Sequence, residues 1–252
     1  MIIDTHAHYD DEQFDEDRGE ILGKMQDAGI GMIMDAGSTI LSWDKIVKLT
    51  EEYPFVYGAI GVHPDEVGNL DETQFARMER LLDKEKIKAV GEIGLDYYYD
   101  THPKELQRFW FRQQLRLAEE TNLPVIIHSR DASQETFDII KASSVRRGSI
   151  HCYSGSAEDA EWLAAQGLYF GFGVIISISR DRKFQYADVM TGNQHRIQFL
   201  IQRSCPHLRN RCSCIFAKHL AAYLNRRTRQ QRNAAVYTVF QPQHLHAGHR
   251  RS

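Results

Sequence analysis

Seven short apolar runs with strand character recur through the first 176 residues, at 1–3, 31–34, 55–60, 87–93, 124–127, 149–150 and 168–176. Helical periodicity fills intervals between them at 16–28, 39–53, 73–86, 105–121 and 156–166, with Gly29, Pro54, Pro124 and Gly167 standing near the stops. Strands that alternate with helices pair in parallel, because each helix returns the chain across the sheet before the next strand begins. An eighth strand is expected at 198–201. The expected fold class is α/β, a TIM-type (β/α)8 barrel with its last strand–helix unit atypical or incomplete. The length of 252 residues suits that barrel. No glycine-rich fingerprint follows the first strand, so a dinucleotide-binding sheet loses support.

Barrel enzymes place their chemistry at the C-terminal ends of the strands. His6 and His8 close the first run with His-x-His spacing, which in an extended chain puts both imidazoles on one face. His63 follows the third run in Gly61-Val62-His63-Pro64, and Glu92 lies in the fourth. His128 ends the fifth run, and His151 follows the sixth. A single histidine of this kind is more often a hydrogen-bonded structural residue, and a buried carboxylate alone needs a cation or hydrogen bonds. His6, His8, Glu92, His128 and His151 together point to a metal site. Four imidazoles and one carboxylate exceed a single closed site. They suit two divalent ions sharing the carboxylate, a pair able to deprotonate water and clamp the oxygens of a phosphodiester. Mg, Mn and Zn all fit such donors.

The segments Asp4-Thr5-His6-Ala7-His8, Gly61-Val62-His63-Pro64, Gly91-Glu92-Ile93-Gly94-Leu95-Asp96-Tyr97, Ile127-His128-Ser129-Arg130-Asp131-Ala132 and His151-Cys152-Tyr153-Ser154-Gly155-Ser156 resemble the TatD-type metal-dependent DNases. That family belongs to the amidohydrolase-like barrels, and the likeness covers about residues 1–176. The resemblance implies that His6 and His8 bind one metal, that Glu92 bridges, and that His128 and His151 bind the second. It also implies that His63 and Arg130 lie near the substrate phosphate, giving Glu92, His63 and Arg130 as catalytic candidates. The family's Glu-Thr-Asp-x-Pro motif after strand eight has no counterpart in Ile201-Gln202-Arg203-Ser204-Cys205-Pro206. A serine hydroxyl cannot replace that carboxylate as a base at neutral pH.

Charge marks the same break. Residues 1–188 carry all 34 acidic residues and a net charge of -14, whereas residues 189–252 carry 11 basic residues and no acidic one. The basic end also holds three of the four cysteines and six of the twelve histidines. The domain reading is therefore a hydrolase barrel over 1–201 and an atypical basic tail over 202–252. The tail can be read as a nucleic-acid arm, since Arg226, Arg227, Arg229 and Arg232 would neutralise phosphates. It can be read as a zinc site built from Cys205, His207, Cys212, Cys214 and His219, whose spacing matches no common module. The composition favours a third reading, the frameshifted end of the barrel.

Four bunched cysteines argue against a disulfide scaffold, and no apolar run is long enough to span a bilayer, so a cytoplasmic protein is expected. The leading function is cleavage of DNA phosphodiester bonds by metal-activated water, with DNA as the substrate partner, no membrane, and protein partners unknown. Alternatives are hydrolysis of another ester or amide, such as aminoacyl-tRNA deacylation, and a catalytically impaired metal-binding protein.

Overall fold

The computed structural model describes residues 2–99 and 101–171. Seven strands lie in them: β1 (Ile2–Ala7), β2 (Ile30–Ala36), β3 (Val56–Ile60), β4 (Ile87–Asp96), β5 (Val125–Arg130), β6 (Gly148–Ile150) and β7 (Leu168–Phe170). Six α-helices alternate with them: α1 (Arg18–Gly23), α2 (Ser42–Glu52), α3 (Glu72–Leu82), α4 (Lys104–Glu120), α5 (Ser133–Ala142) and α6 (Ala157–Gln166). Every strand pairs in parallel with its sequence neighbour, in the order β1 to β7. A doubly wound sheet would reverse its order part-way; an uninterrupted order is that of a TIM-type (β/α)8 barrel. The expected eighth strand at 198–201, the tail at 202–252 and the end of the seventh run lie outside the described residues.

Two apolar layers sandwich the sheet. Ala36, Ala59, Ala89 and Ile126, one from each of four adjacent strands, form a small-residue cluster on one face. Ile60, Val90 and Ile127 belong to the larger cluster with Trp43, Ile46, Phe111 and Leu115 from the helices. The period-2 alternation of side chains puts these two sets on opposite faces of the strands. Two helix starts carry side-chain caps: Asp71 accepts from the Gln74 N–H at 2.8 Å, and Ser156 accepts from the Asp159 N–H at 3.0 Å. Gly167 ends α6 in the left-handed region at φ 106°, which a side chain would disfavour.

Several boundaries differ from the expectations. β1, β4 and β5 run past the apolar runs to Ala7, Asp96 and Arg130. The added residues include His6, Asp96 and His128, whose backbones stay in the ladder while their polar side chains break the hydrophobic pattern. α1 is shorter than 16–28, because residues 24–29 form turns that end at Gly29 with φ 84°. α5 has no counterpart in the periodicity reading. Its apolar residues Phe137, Ile139 and Ile140 crowd the middle of only ten residues, too short a window for a helical repeat to stand out.

Candidate metal centre

Strand ends bring the expected residues to one mouth. His6 is buried at the end of β1, and His8 follows it; their Nε2 atoms lie 3.0 Å apart. Nδ1 of His8 sits 2.7 Å from the Ala36 carbonyl, which can only accept, so that nitrogen carries the proton. The Nε2 edge of His8 is thereby aimed at the centre of the site, the usual way an outer hydrogen bond orients a ligating imidazole. Glu92 of β4 completes the group: its Oε2 lies 3.3 Å from His6 Nε2 and 3.5 Å from His8 Nε2. Its other oxygen, Oε1, lies 3.2 Å from Nδ1 of His128 on β5. The two carboxylate oxygens thus face two separate sets of imidazoles.

His151, after β6, stacks on His6 with ring centroids 3.9 Å apart. Ligand atoms of His6, Glu92 and His151 all lie within 4.8 Å of one another, as do those of His63, Glu92 and His128. Such nitrogen and carboxylate donors, converging in a buried place, fit divalent cations of the Zn and Mn type. The outer nitrogen of His128 is held by Asp96 Oδ2 at 2.9 Å.

His63 differs in its hydrogen bonding. It caps the short 3-10 helix Pro64–Asn69, and its Nδ1 accepts from the Asp65 N–H at 3.2 Å. A neutral ring that accepts at Nδ1 carries its proton at Nε2. That Nε2 is buried and has no hydrogen-bond partner among the described residues. A buried donor without a partner is costly, so it is suited to a group brought in from outside. Its position in a three-residue cluster with Glu92 and His128 is compatible with ligation, but the Nδ1 contact favours a donor.

The charges follow from burial and this geometry. Burial alone would lower the His8 and His128 pKa values, but the carboxylates beside them outweigh it and push both up to about 9. Burial, reinforced by the positive charge of His128, drops His63 to about 3 and keeps it neutral. His6 and His151 are also lowered, by burial first. Burial opposes ionisation of Glu92, yet the surrounding imidazoles hold its carboxyl well below the usual range.

Arg130 ends β5, opposite Asp96 in the β4–β5 ladder. Asp96 has a place in the family-like segment of the sequence but no expected role, and the residues that support it are not among the expected site residues. Gln107 and Gln114, both buried on α4, clamp backbone at two strand ends. Gln114 accepts from the Val62 N–H at 2.8 Å and donates to the Val62 carbonyl at 3.2 Å, fixing the residue before His63. Gln107 accepts from the Asp96 N–H at 2.9 Å. Two glutamines seven apart on the buried face of an amphipathic helix were the available signal. Buried Asp10 and Asp35 stand behind His8, and Asp35 accepts from the Tyr9 N–H at 2.6 Å. Burial, with the nearby Asp10 charge, raises the Asp35 carboxyl well above the ordinary range.

Residues 3–239 match the family described as TatD related DNase. The chain belongs to that family. Over 210 residues it is 35% identical to the "Uncharacterized metal-dependent hydrolase YabD" of Bacillus subtilis (strain 168), covering 82% of this chain and 81% of that protein. It is 28% identical over 172 residues to the "3'-5' ssDNA/RNA exonuclease TatD" of Cronobacter sakazakii, of whose length it spans 65%. The crystal structure of YjjV, a TatD homologue from Escherichia coli K12, superposes with a TM-score of 0.67 at 31% identity, over 76% of this chain and 74% of that one. This TatD-family chain therefore shares its barrel with a metal-dependent hydrolase family. Among the described residues no helix is long and apolar enough to cross a membrane.

Proposed function

We propose that this chain is a cytoplasmic metal-dependent phosphodiesterase acting on nucleic acid, with two divalent ions held by His6, His8, Glu92, His128 and His151. The observation that carries this reading is the placement of Glu92, whose two carboxylate oxygens lie within 3.5 Å of three different imidazoles. The name of the Cronobacter relative supports a nucleic-acid substrate. Bound divalent ions would supply Lewis acidity, lowering the pKa of water and offsetting phosphate charge.

The remaining steps belong to the protein. The Ala36 carbonyl orients His8, and Asp96 orients His128, so the donor set is preorganised. Neutral His63 donates from Nε2 to a phosphate oxygen, which supplies the partner that this buried group needs. Arg130 adds a charge-assisted contact to the same phosphate. The absence of any Asp or Glu after Asp188 favours a second outcome, metal binding without turnover.

Release of nucleotides from single-stranded DNA with Mn²⁺ or Mg²⁺, abolished by Glu92→Ala, is the expected result. No turnover with any divalent metal would sink the enzymatic reading; two ions bound per chain without turnover would establish the impaired one. We also propose that 1–201 is the barrel and that 202–252 is a frameshifted end. Reading the coding DNA in all three frames tests this: a Glu-Thr-Asp-x-Pro stretch and an ordinary helix in another frame are expected.

A further inference from the structure

Three consecutive tyrosines follow β4, and the structure treats them differently. Tyr97 is anchored by its hydroxyl to Glu135 and lies under Lys104, whose Nζ is 4.2 Å from the ring centroid. Tyr98 and Tyr99 are instead 54% and 44% exposed, unusual values for two adjacent aromatic side chains. Their rings meet at 86° with centroids 4.8 Å apart. The Arg130 guanidinium carbon sits by both rings, 3.7 Å from the Tyr98 centroid and 4.7 Å from that of Tyr99. Arg130 forms no ion pair among the described residues.

This group is tied directly to the candidate metal centre. The Tyr98 N–H donates to Asp96 Oδ1 at 2.9 Å, and the other Asp96 oxygen holds His128. Arg130 stands two residues beyond His128 on β5 and pairs with Asp96 in register. An exposed ring backed by a guanidinium extends the stack to any flat π-system that reaches it. Stacking of a base on an aromatic side chain is favourable and tolerates any base, because every base has a π-face. The Arg130 cation supplies the attraction for the adjoining phosphate.

We propose that Tyr98, Tyr99 and Arg130 form a stacking subsite for a base of single-stranded nucleic acid at the rim of the metal centre. The assignment rests on the nucleic-acid reading above and extends it to a site for the base. It makes the enzyme select unpaired strands, whose bases are free to leave their neighbours and lie on a protein ring.

Fluorescence anisotropy of a labelled oligothymidylate tests the subsite, with EDTA present so that no cleavage competes. The full-length protein, its Tyr98→Ala/Tyr99→Ala variant and its Tyr98→Phe/Tyr99→Phe variant are compared, each against a second oligonucleotide of tetrahydrofuran abasic residues. The alanine pair is expected to weaken oligothymidylate binding about tenfold. The phenylalanine pair should retain it, and the abasic strand should bind the wild type and the alanine variant alike. Equal oligothymidylate affinity in the wild type and the alanine variant would overturn the proposal. Equal losses for the two strands would also do so, as would a wild type that binds neither strand. Failure of the wild type to cleave DNA with Mn²⁺ would count against the nuclease reading alone, since base-dependent binding is read without metal.

Discussion

Gly94 of β4 faces His128 of β5 across the parallel ladder, and its backbone, at φ 151°, leaves no room for a side chain. A Cβ there would overlap the carbonyl oxygen of His128, a backbone atom that cannot swing aside. Gly94→Ala is therefore expected to cost about 2–4 kcal/mol through strain and strand displacement. Urea unfolding measures this directly, and an unchanged midpoint would show that the strands separate freely.

The Gln114 clamp gives a second prediction. Gln114→Leu preserves bulk but removes both partners of the Val62 backbone, leaving a buried N–H without an acceptor. A loss of about 1–3 kcal/mol is expected, together with reduced turnover from a misplaced His63. Gln114→Glu keeps the acceptor and should recover part of the stability, a comparison that separates hydrogen bonding from packing.

Glu135 links stability to pH. Its carboxylate accepts from the Tyr97 hydroxyl and pairs with Arg108, whose Nη1 lies 2.7 Å away, and the Tyr97 contact is the larger cause of its lowered pKa. A depressed folded-state pKa means that this contribution is present above the ordinary value of 4.5 and is lost as pH falls through the folded value. The Glu135 side chain is 42% exposed, so solvent screening holds the effect below about 1 kcal/mol. Glu135→Gln should be slightly less stable than wild type at pH 7, with the gap closing as pH falls below the ordinary carboxylate range. Parallel denaturation series across that range would reveal a constant gap if the pair were irrelevant.

Removal of metal should destabilise the chain. A ligand bound only by the folded state and supplied at 100 times its Kd adds about 2.7 kcal/mol, or roughly 5 °C or more for a domain of this size. Calorimetry after EDTA treatment and again after adding Mn²⁺ should show the lower and the restored transition. Glu92→Ala should abolish the response, and a Tm indifferent to both treatments would mean that the cluster binds no ion.

Much of this was visible in the residues themselves. The seven strands and the mouth residues His6, His8, His63, Glu92, His128 and His151 were legible because the histidines stand where apolar runs end and Glu92 is a lone carboxylate inside one. The supporting residues were harder to find. Asp96 is charged but sits in a strand that reads as apolar, and only its spacing of four from Glu92 puts it on the same side. Gln107 and Gln114 lie inside a helix whose amphipathic pattern absorbs an occasional amide. Their bonds to Asp96 and Val62 reach backbone 11 and 52 residues away, a separation that local periodicity does not register.

Those two glutamines make α4 a gauge for the mouth. They stand seven residues apart on one rigid helix, about 10 Å along its axis. One fixes the chain leaving β3 and the other fixes the end of β4. The span between His63 and Asp96 is therefore inherited from helical rise rather than from the loops that follow β3 and β4. Sequence drift in those loops can proceed while the span holds, and a substitution that rolls α4 by one residue would shift both ends together.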